Sequence, residues 1–309
     1  LVSQAAGDLA VAASRLVSSA PDFGIDLGFV YGTVDTVAGK PRVRQACLPV
    51  LGSGRTAMIF VSEPMTQGDP GGQAVANAER AACVRAACEF LAREKSDVVK
   101  VAQGLPEARE TWSMSALQDA GFLSVGRLSY LRRPIGDRTG GYDRLPPWPD
   151  GVEVVPLTTF PAHRWDELLI AALDRSYVDT MDCPELCGMR ATADILASHK
   201  ATGDFDPSLW WVFMLLGEAH GCLLLTRCAE QRTLELVYLG LSPQLRGQGL
   251  SRAALWMGMQ AAKPSCLGWN VACAVDMRNM PALKLYGRLG FRSFSERTAM
   301  VRVIASARG

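Results

Sequence analysis

The feature that most constrains this chain is an order of elements that occurs twice. In the second half, GCLLL (221–225) and RTLELVYLGL (232–241) predict a two-stranded hairpin. A Gly-containing loop, an amphipathic helix over 251–262, a strand near 267–275, a helix near 281–288 and a last strand from Phe291 follow. In the first half, ACLPV and RTAMIFV predict a comparable hairpin joined by LGSG. The helix AERAACVRAACEFLARE, the strand DVVKVA, the helix ARETWSMSALQDA and the strand LSVGRLSYLRR come next, in the same order. Arg-Thr opens the second hairpin strand in both halves (Arg55-Thr56, Arg232-Thr233), and Gly-Phe follows the last helix in both (Gly121-Phe122, Gly290-Phe291). Glycine there fits a left-handed helix C-cap. The shared order predicts a duplicated α/β unit, at a period too long for a solenoid.

The length agrees with two domains: 309 residues exceed the roughly 250–300 over which one core normally grows. GDRTGGYDRLPPWPD (136–150) has no hydrophobic period and is rich in Gly, Pro and Asp. It predicts a first domain over 1–137, a linker over 138–150 and a second domain over 151–309. With 49% hydrophobic and 20% charged residues, the composition excludes collagen-like, low-complexity and disordered chains. A net charge of +1 offers no general attraction to nucleic acid or an anionic membrane. No run approaches the ~20 apolar residues of a membrane helix. The opening LVSQAAGDLAVAASRLVSSA lacks a basic start and is interrupted by Asp8 and Arg15, which argues against a signal peptide. Nine cysteines scattered through apolar stretches suit reduced core thiols and a cytoplasmic protein. Only Cys183 and Cys187 lie close in a polar loop, without a second pair at zinc spacing, so no metal is expected.

Chemistry concentrates in LELVYLGLSPQLRGQGLSRAAL (234–255), where a strand runs through QLRGQG directly into a helix. A helix N-terminus leaves amide hydrogens unpaired and carries partial positive charge, which suits a phosphate. Gly247 and Gly249 admit close backbone approach, and Arg246 can add a charge-assisted bond. The same glycines also suit an ordinary strand-to-helix turn. There is no P-loop Lys, and the spacing does not fit a dinucleotide fingerprint.

The spacing Gln244-x-x-Gly247-x-Gly249, followed by VDMRNMPALKLYGRLGF (275–291), resembles the GNAT superfamily of acetyl-CoA-dependent N-acetyltransferases. The resemblance covers about 152–305 and reaches the first half only through the internal repeat. It implies two tandem units, each a mixed, mostly antiparallel central sheet flanked by helices. It further implies acetyl-CoA as acyl donor, with its diphosphate on Leu245, Arg246, Gly247, Gln248, Gly249, Leu250 and Ser251. The pantetheine arm would pair with the main chain of Leu239, Gly240 and Leu241, where Gly240 in an apolar strand suggests a bulge.

An alkylamine with a pKa near 10.4 arrives mostly protonated, so a base helps. Glu235 is the candidate base or, equally, a carboxylate at a solvated strand end. Tyr286 corresponds to the family's acid, which protonates the departing thiolate; its alternative is packing on the sheet. Asn279 either caps the following helix or touches the cofactor. Tyr177, Asp179 and Asp182 are candidates for holding a cationic acceptor, or form a solvated acidic loop. The expected function is acetyl transfer to a small-molecule or peptide primary amine by a monomer or homodimer. Its rival is a non-catalytic acyl-CoA sensor or interaction module. Aminoacyl transferases of cell-wall synthesis form a third class, which would not need QLRGQG.

Overall fold

The computed structural model describes residues 9–65, 71–136 and 147–305. Its contacts gather into two compact units, one of residues 1–126 with 297–309, the other of 127–296. The first unit holds α1 (Leu9–Ser19), β1 (Tyr31–Val37), β2 (Lys40–Gly52), β3 (Thr56–Val61), α2 (Gly72–Glu94), β4 (Val101–Gly104) and α3 (Thr111–Asp119). After β5 (Leu123–Pro134), the second unit adds β6 (Val152–Pro156), α4 (Trp165–Tyr177), α5 (Thr192–Lys200), β7 (Trp210–Leu215) and β8 (Glu218–Cys228). It continues through β9 (Thr233–Leu241), α6 (Leu250–Cys266), β10 (Asn270–Asp276) and α7 (Met280–Arg288) into β11 (Arg292–Val303).

In the first unit the strands lie in the order β1-β2-β3-β4-β11; in the second, β5-β10-β9-β8-β7-β6. Pairing is antiparallel apart from β3–β4 and β9–β10, which run parallel across their intervening helices. This is the expected mixed, mostly antiparallel sheet. The duplication is visible in local geometry. Arg55 and Arg232 both adopt positive φ, at 60° and 48°. Each places its carbonyl on the next parallel strand, Arg55 accepting from Lys100 and Val101, and Arg232 from Asn270. Gly121 and Gly290 take φ of 82° and 81°, and the Phe after each donates its amide to the residue five positions earlier.

The compact units do not follow the two halves of the sequence. Residues 127–134 of β5, expected to finish the first domain, pair with β10 over Leu128–Pro134 and belong to the second unit. Met300–Val303 of β11 pair with β4 and belong to the first. Each half thus ends in a strand that completes the sheet of the unit built by the other. Leu131 and Ile135 accordingly sit in the second unit's core, and Met300 and Ile304 in the first's. The expected strand DVVKVA shortens to its end, because Val98 and Val99 donate to Lys95 in the turn that closes α2. Residues 137–146, most of the expected linker, lie outside the described residues. Among the described residues, no helix is long and apolar enough to cross a membrane.

Candidate active site

β9 carries the site because its two edges behave differently. Toward β8 it is paired over its whole length, with a register shift that leaves Val237 extra between Leu236 and Tyr238. This bulge lies three residues before Gly240, where one was expected. Gly240 serves a different purpose. A Cβ there would fall 2.3 Å from the Tyr238 hydroxyl, so only glycine lets that phenol cross the strand and meet the Ser176 hydroxyl at 2.8 Å. Toward β10, only Thr233–Glu235 pair, with Asn270–Ala272. Leu239, Gly240 and Leu241 therefore lie beyond the parallel ladder, on a strand edge facing the gap.

Glu235 stands where the two strands part. It is half-buried, and burial pushes its carboxyl from the ordinary 4.5 up to about 7. Tyr286 on α7 is buried, with its ring 5.4 Å from that of Phe291. Burial holds its phenol far above the usual range, with Cys273 and Asp182 adding to the effect. The Cys273 thiol is itself raised by burial, then by Glu235 and Asp182. Glu235, Tyr286, Asp182 and Cys273 thus share one electrostatic neighbourhood. Cys273 and Tyr238 escaped the sequence reading because both look like core residues there.

Beyond β9, Ser242–Leu245 form a tight turn, with Leu245 buried, and Gly247 and Gly249 both take φ of 79°. Gly249 caps α6 without a side-chain bond, and its carbonyl accepts from Arg252 and Ala253. Among the described residues, the N–H groups of Gly247, Gln248, Gly249, Leu250 and Ser251 meet no acceptor. Gln248 instead returns its side-chain amide to the Gln244 carbonyl at 2.9 Å. The donor set at the start of this 17-residue helix suits a diphosphate.

Arg246, expected on the diphosphate, turns most of its donors to main chain. Its guanidinium donates to the carbonyls of Leu241 (2.9 Å), Asp179 (3.1 Å), Ser176 (2.9 Å) and Val178 (2.7 Å). Four of its five N–H donors are committed to main chain, leaving one for a phosphate. Asn279 accepts from the Ala282 amide at 3.2 Å and caps α7.

On the acceptor side the three expected residues separate. Tyr177 packs edge-on against Tyr238, with centroids 5.6 Å apart, and burial raises its phenol. Asp179 is exposed at φ 51°. Asp182 accepts the Asp276 amide at 2.8 Å. Protein crowding raises the Asp182 carboxyl although the residue keeps solvent contact, and the neighbouring Asp276 charge acts the same way. Asp276, fully buried, pairs with Arg278 at 2.6 Å and accepts the Cys183 amide; Arg278 also holds Glu185. This bracing of 182–185 against the end of β10 was not legible in the sequence, because its partners lie more than 90 positions apart.

The profile of the acetyltransferase (GNAT) family matches residues 175–291, spanning Tyr177, the loop and Tyr286. Over this stretch, under half of the chain, the sequence fits that family. The chain is similar to mycothiol acetyltransferases of Kytococcus sedentarius (28% identity, 58% of this chain and 60% of the relative) and Nocardiopsis dassonvillei (26%, 59% and 59%). It spans about three fifths of the length of these curated relatives. A GCN5-related N-acetyltransferase structure from Sphaerobacter thermophilus matches 95% of this chain and 86% of its own at a TM-score of 0.57 and 16% identity. A tandem GNAT protein from the clavulanic acid biosynthesis pathway matches 94% and 88% at 0.50 and 12%. These last two likenesses show the fold alone, a mixed, mostly antiparallel sheet flanked by helices, shared over most of the chain.

Proposed function

We propose that the chain transfers an acetyl group from acetyl-CoA to a primary amine by direct attack within a ternary complex. The observation that carries this reading is the opening between β9 and β10, with Glu235 where the strands part and Tyr286 in the same electrostatic neighbourhood. The unpaired amides of 247–251 stand ready for the diphosphate, and the edge of Leu239–Leu241, unpaired with β10 though Arg246 takes the Leu241 carbonyl, for an extended arm. Bound acetyl-CoA would supply the acetyl thioester.

Glu235 takes one proton from the acceptor ammonium, freeing the lone pair that forms the C–N bond, and a second proton leaves nitrogen to solvent as the amide forms. A carboxyl near 7 is a stronger base than an ordinary one and closes part of the gap to an amine near 10.4. Tyr286 keeps its proton at any working pH and gives it to sulfur as the C–S bond breaks. The proton gained by Glu235 and the one lost by Tyr286 then exchange through solvent. Asp182, on the braced 182–185 segment, is the group we assign to the acceptor ammonium.

The first half repeats this framework without its chemistry. Met58 holds the register position of Glu235, and Leu117 precedes Phe122 by five residues as Tyr286 precedes Phe291. A thioether and an isobutyl group neither accept nor donate the protons required. We therefore assign transfer to the second unit alone. The test is a panel of primary amines, including an amine on the mycothiol scaffold named by both relatives, assayed for free-thiol release from acetyl-CoA. No amine-dependent release above the hydrolytic background would reject transfer. CoA binding without it would favour the sensor.

A further inference from the structure

Arg246 lies in the diphosphate loop, yet its side chain leaves that loop and gathers the carbonyls of Ser176, Val178 and Asp179. Those carbonyls belong to the last turn of α4 and the bend after it. A guanidinium there neutralises the partial negative charge of the helix end. The bend needs such help, because Asp179 holds a positive φ of 51° without being glycine. Within the bend itself, the Thr180 amide donates to the Tyr177 carbonyl at 3.1 Å and the Asp182 amide to the Thr180 hydroxyl at 3.2 Å, and neither bond reaches the Ser176, Val178 or Asp179 carbonyls. The fourth bond returns to Leu241, the last residue of β9. One planar group therefore fastens the cofactor strand, the diphosphate loop and the start of the acceptor-side segment. Three residues on, that segment meets Asp276 through Asp182 and Cys183, beside the proposed reaction centre.

We propose that Arg246 is a positioning residue, not a phosphate ligand. Through it, occupation of the 245–251 loop orders residues 176–183, where the amine is received. The inference rests on the proposed function, since it needs CoA to bind that loop. Lysine at 246 keeps the charge but cannot span four carbonyls spread across two elements.

The test is amide hydrogen exchange on the full chain with and without CoA, together with calorimetric CoA affinity, in wild type and Arg246→Lys. In wild type, CoA should slow exchange both at 247–252 and at 176–183, by about threefold or more. In Arg246→Lys, protection at 247–252 and an affinity within about threefold of wild type should persist, while the effect at 176–183 disappears. Arg246→Gln should behave like the lysine variant, since no phosphate contact is lost. A more than tenfold loss of CoA affinity in Arg246→Gln, with lysine restoring it, would make Arg246 a phosphate ligand and overturn the proposal. So would wild-type protection confined to 247–252, or protection at 176–183 that survives in both variants. Absence of CoA binding by wild type would instead bring down the underlying function. If the glutamine variant fails to fold, the lysine variant decides.

Discussion

At the scale of single residues, Glu235 ties the proposed activity to stability through one proton. Its carboxyl moves from 4.5 in the unfolded chain to about 7 in the folded protein. Between those values the folded protein holds a proton that the unfolded chain has released, so stability falls as pH rises through that window. Glu235→Gln removes the cost of burying a charge. It should raise stability above pH 7 by about 1–3 kcal/mol, read as a higher denaturant midpoint than wild type at pH 8 but not at pH 4.5. The same variant should lower kcat by about 10²–10⁴-fold and erase the rise of kcat/KM through pH 7. An unchanged pH profile would make Glu235 structural. Tyr286→Phe should cost a similar factor in kcat with little change in CoA affinity, since the buried ring keeps its packing on Phe291. Wild-type turnover in that variant would remove Tyr286 from the chemistry.

At the scale of elements, the strand-to-helix junction combines conformations that only glycine adopts cheaply. Gly247 and Gly249 sit at φ 79°, and a β-branched residue there forces the loop out of its shape. Gly249→Val should abolish detectable CoA binding in calorimetry while far-UV circular dichroism stays unchanged; retained affinity in a folded variant would place the diphosphate elsewhere. Gly240 tests the partner strand. An added Cβ displaces the Tyr238 hydroxyl from Ser176, so Gly240→Ala should disturb the acceptor side more than CoA affinity. We expect acceptor KM to rise about tenfold or more, reflecting the loss of one buried hydrogen bond and a shifted ring. Equal CoA and acceptor losses would tie Gly240 to the pantetheine arm instead.

At the scale of the whole molecule, the exchange of final strands makes each unit depend on both halves of the chain. A fragment of residues 151–309, cut where composition marks the linker, lacks the strand that pairs with β10 over Leu128–Pro134. It also loses Leu131 and Ile135 from its core, worth roughly 1.5–3 kcal/mol each. An open strand edge adds an aggregation hazard. That fragment should be insoluble or unfold at least about 10 °C below a fragment of 127–296, which retains the strand. Equal stability would show that β5 contributes nothing to the second unit. With transfer assigned to the second unit alone, calorimetry on the full chain should return one CoA per chain; two equivalent sites would restore the first unit as a cofactor domain.

What the sequence determined by itself was local and periodic. Hairpins, amphipathic helices, Gly-Phe junctions and the QLRGQG loop follow from side-chain alternation and from residues that tolerate positive φ, both set within a few positions. That is why the duplicated order and the helix-start amides were legible, and why Asn279 was recognisable as a cap, while the mixed sheet was implied by the family resemblance. Tertiary structure decided what depends on residues far apart in the chain. Whether β5 completes its own half or the other depends on which exposed edge it meets, and the pattern of LSVGRLSYLRR is the same in either place. That the Arg246 guanidinium meets the Ser176, Val178 and Asp179 carbonyls depends on a segment far away in the chain, which no local pattern announces. The setting of Glu235 is tertiary in the same way, since burial, a property of everything packed around it, lifts its carboxyl toward neutral pH.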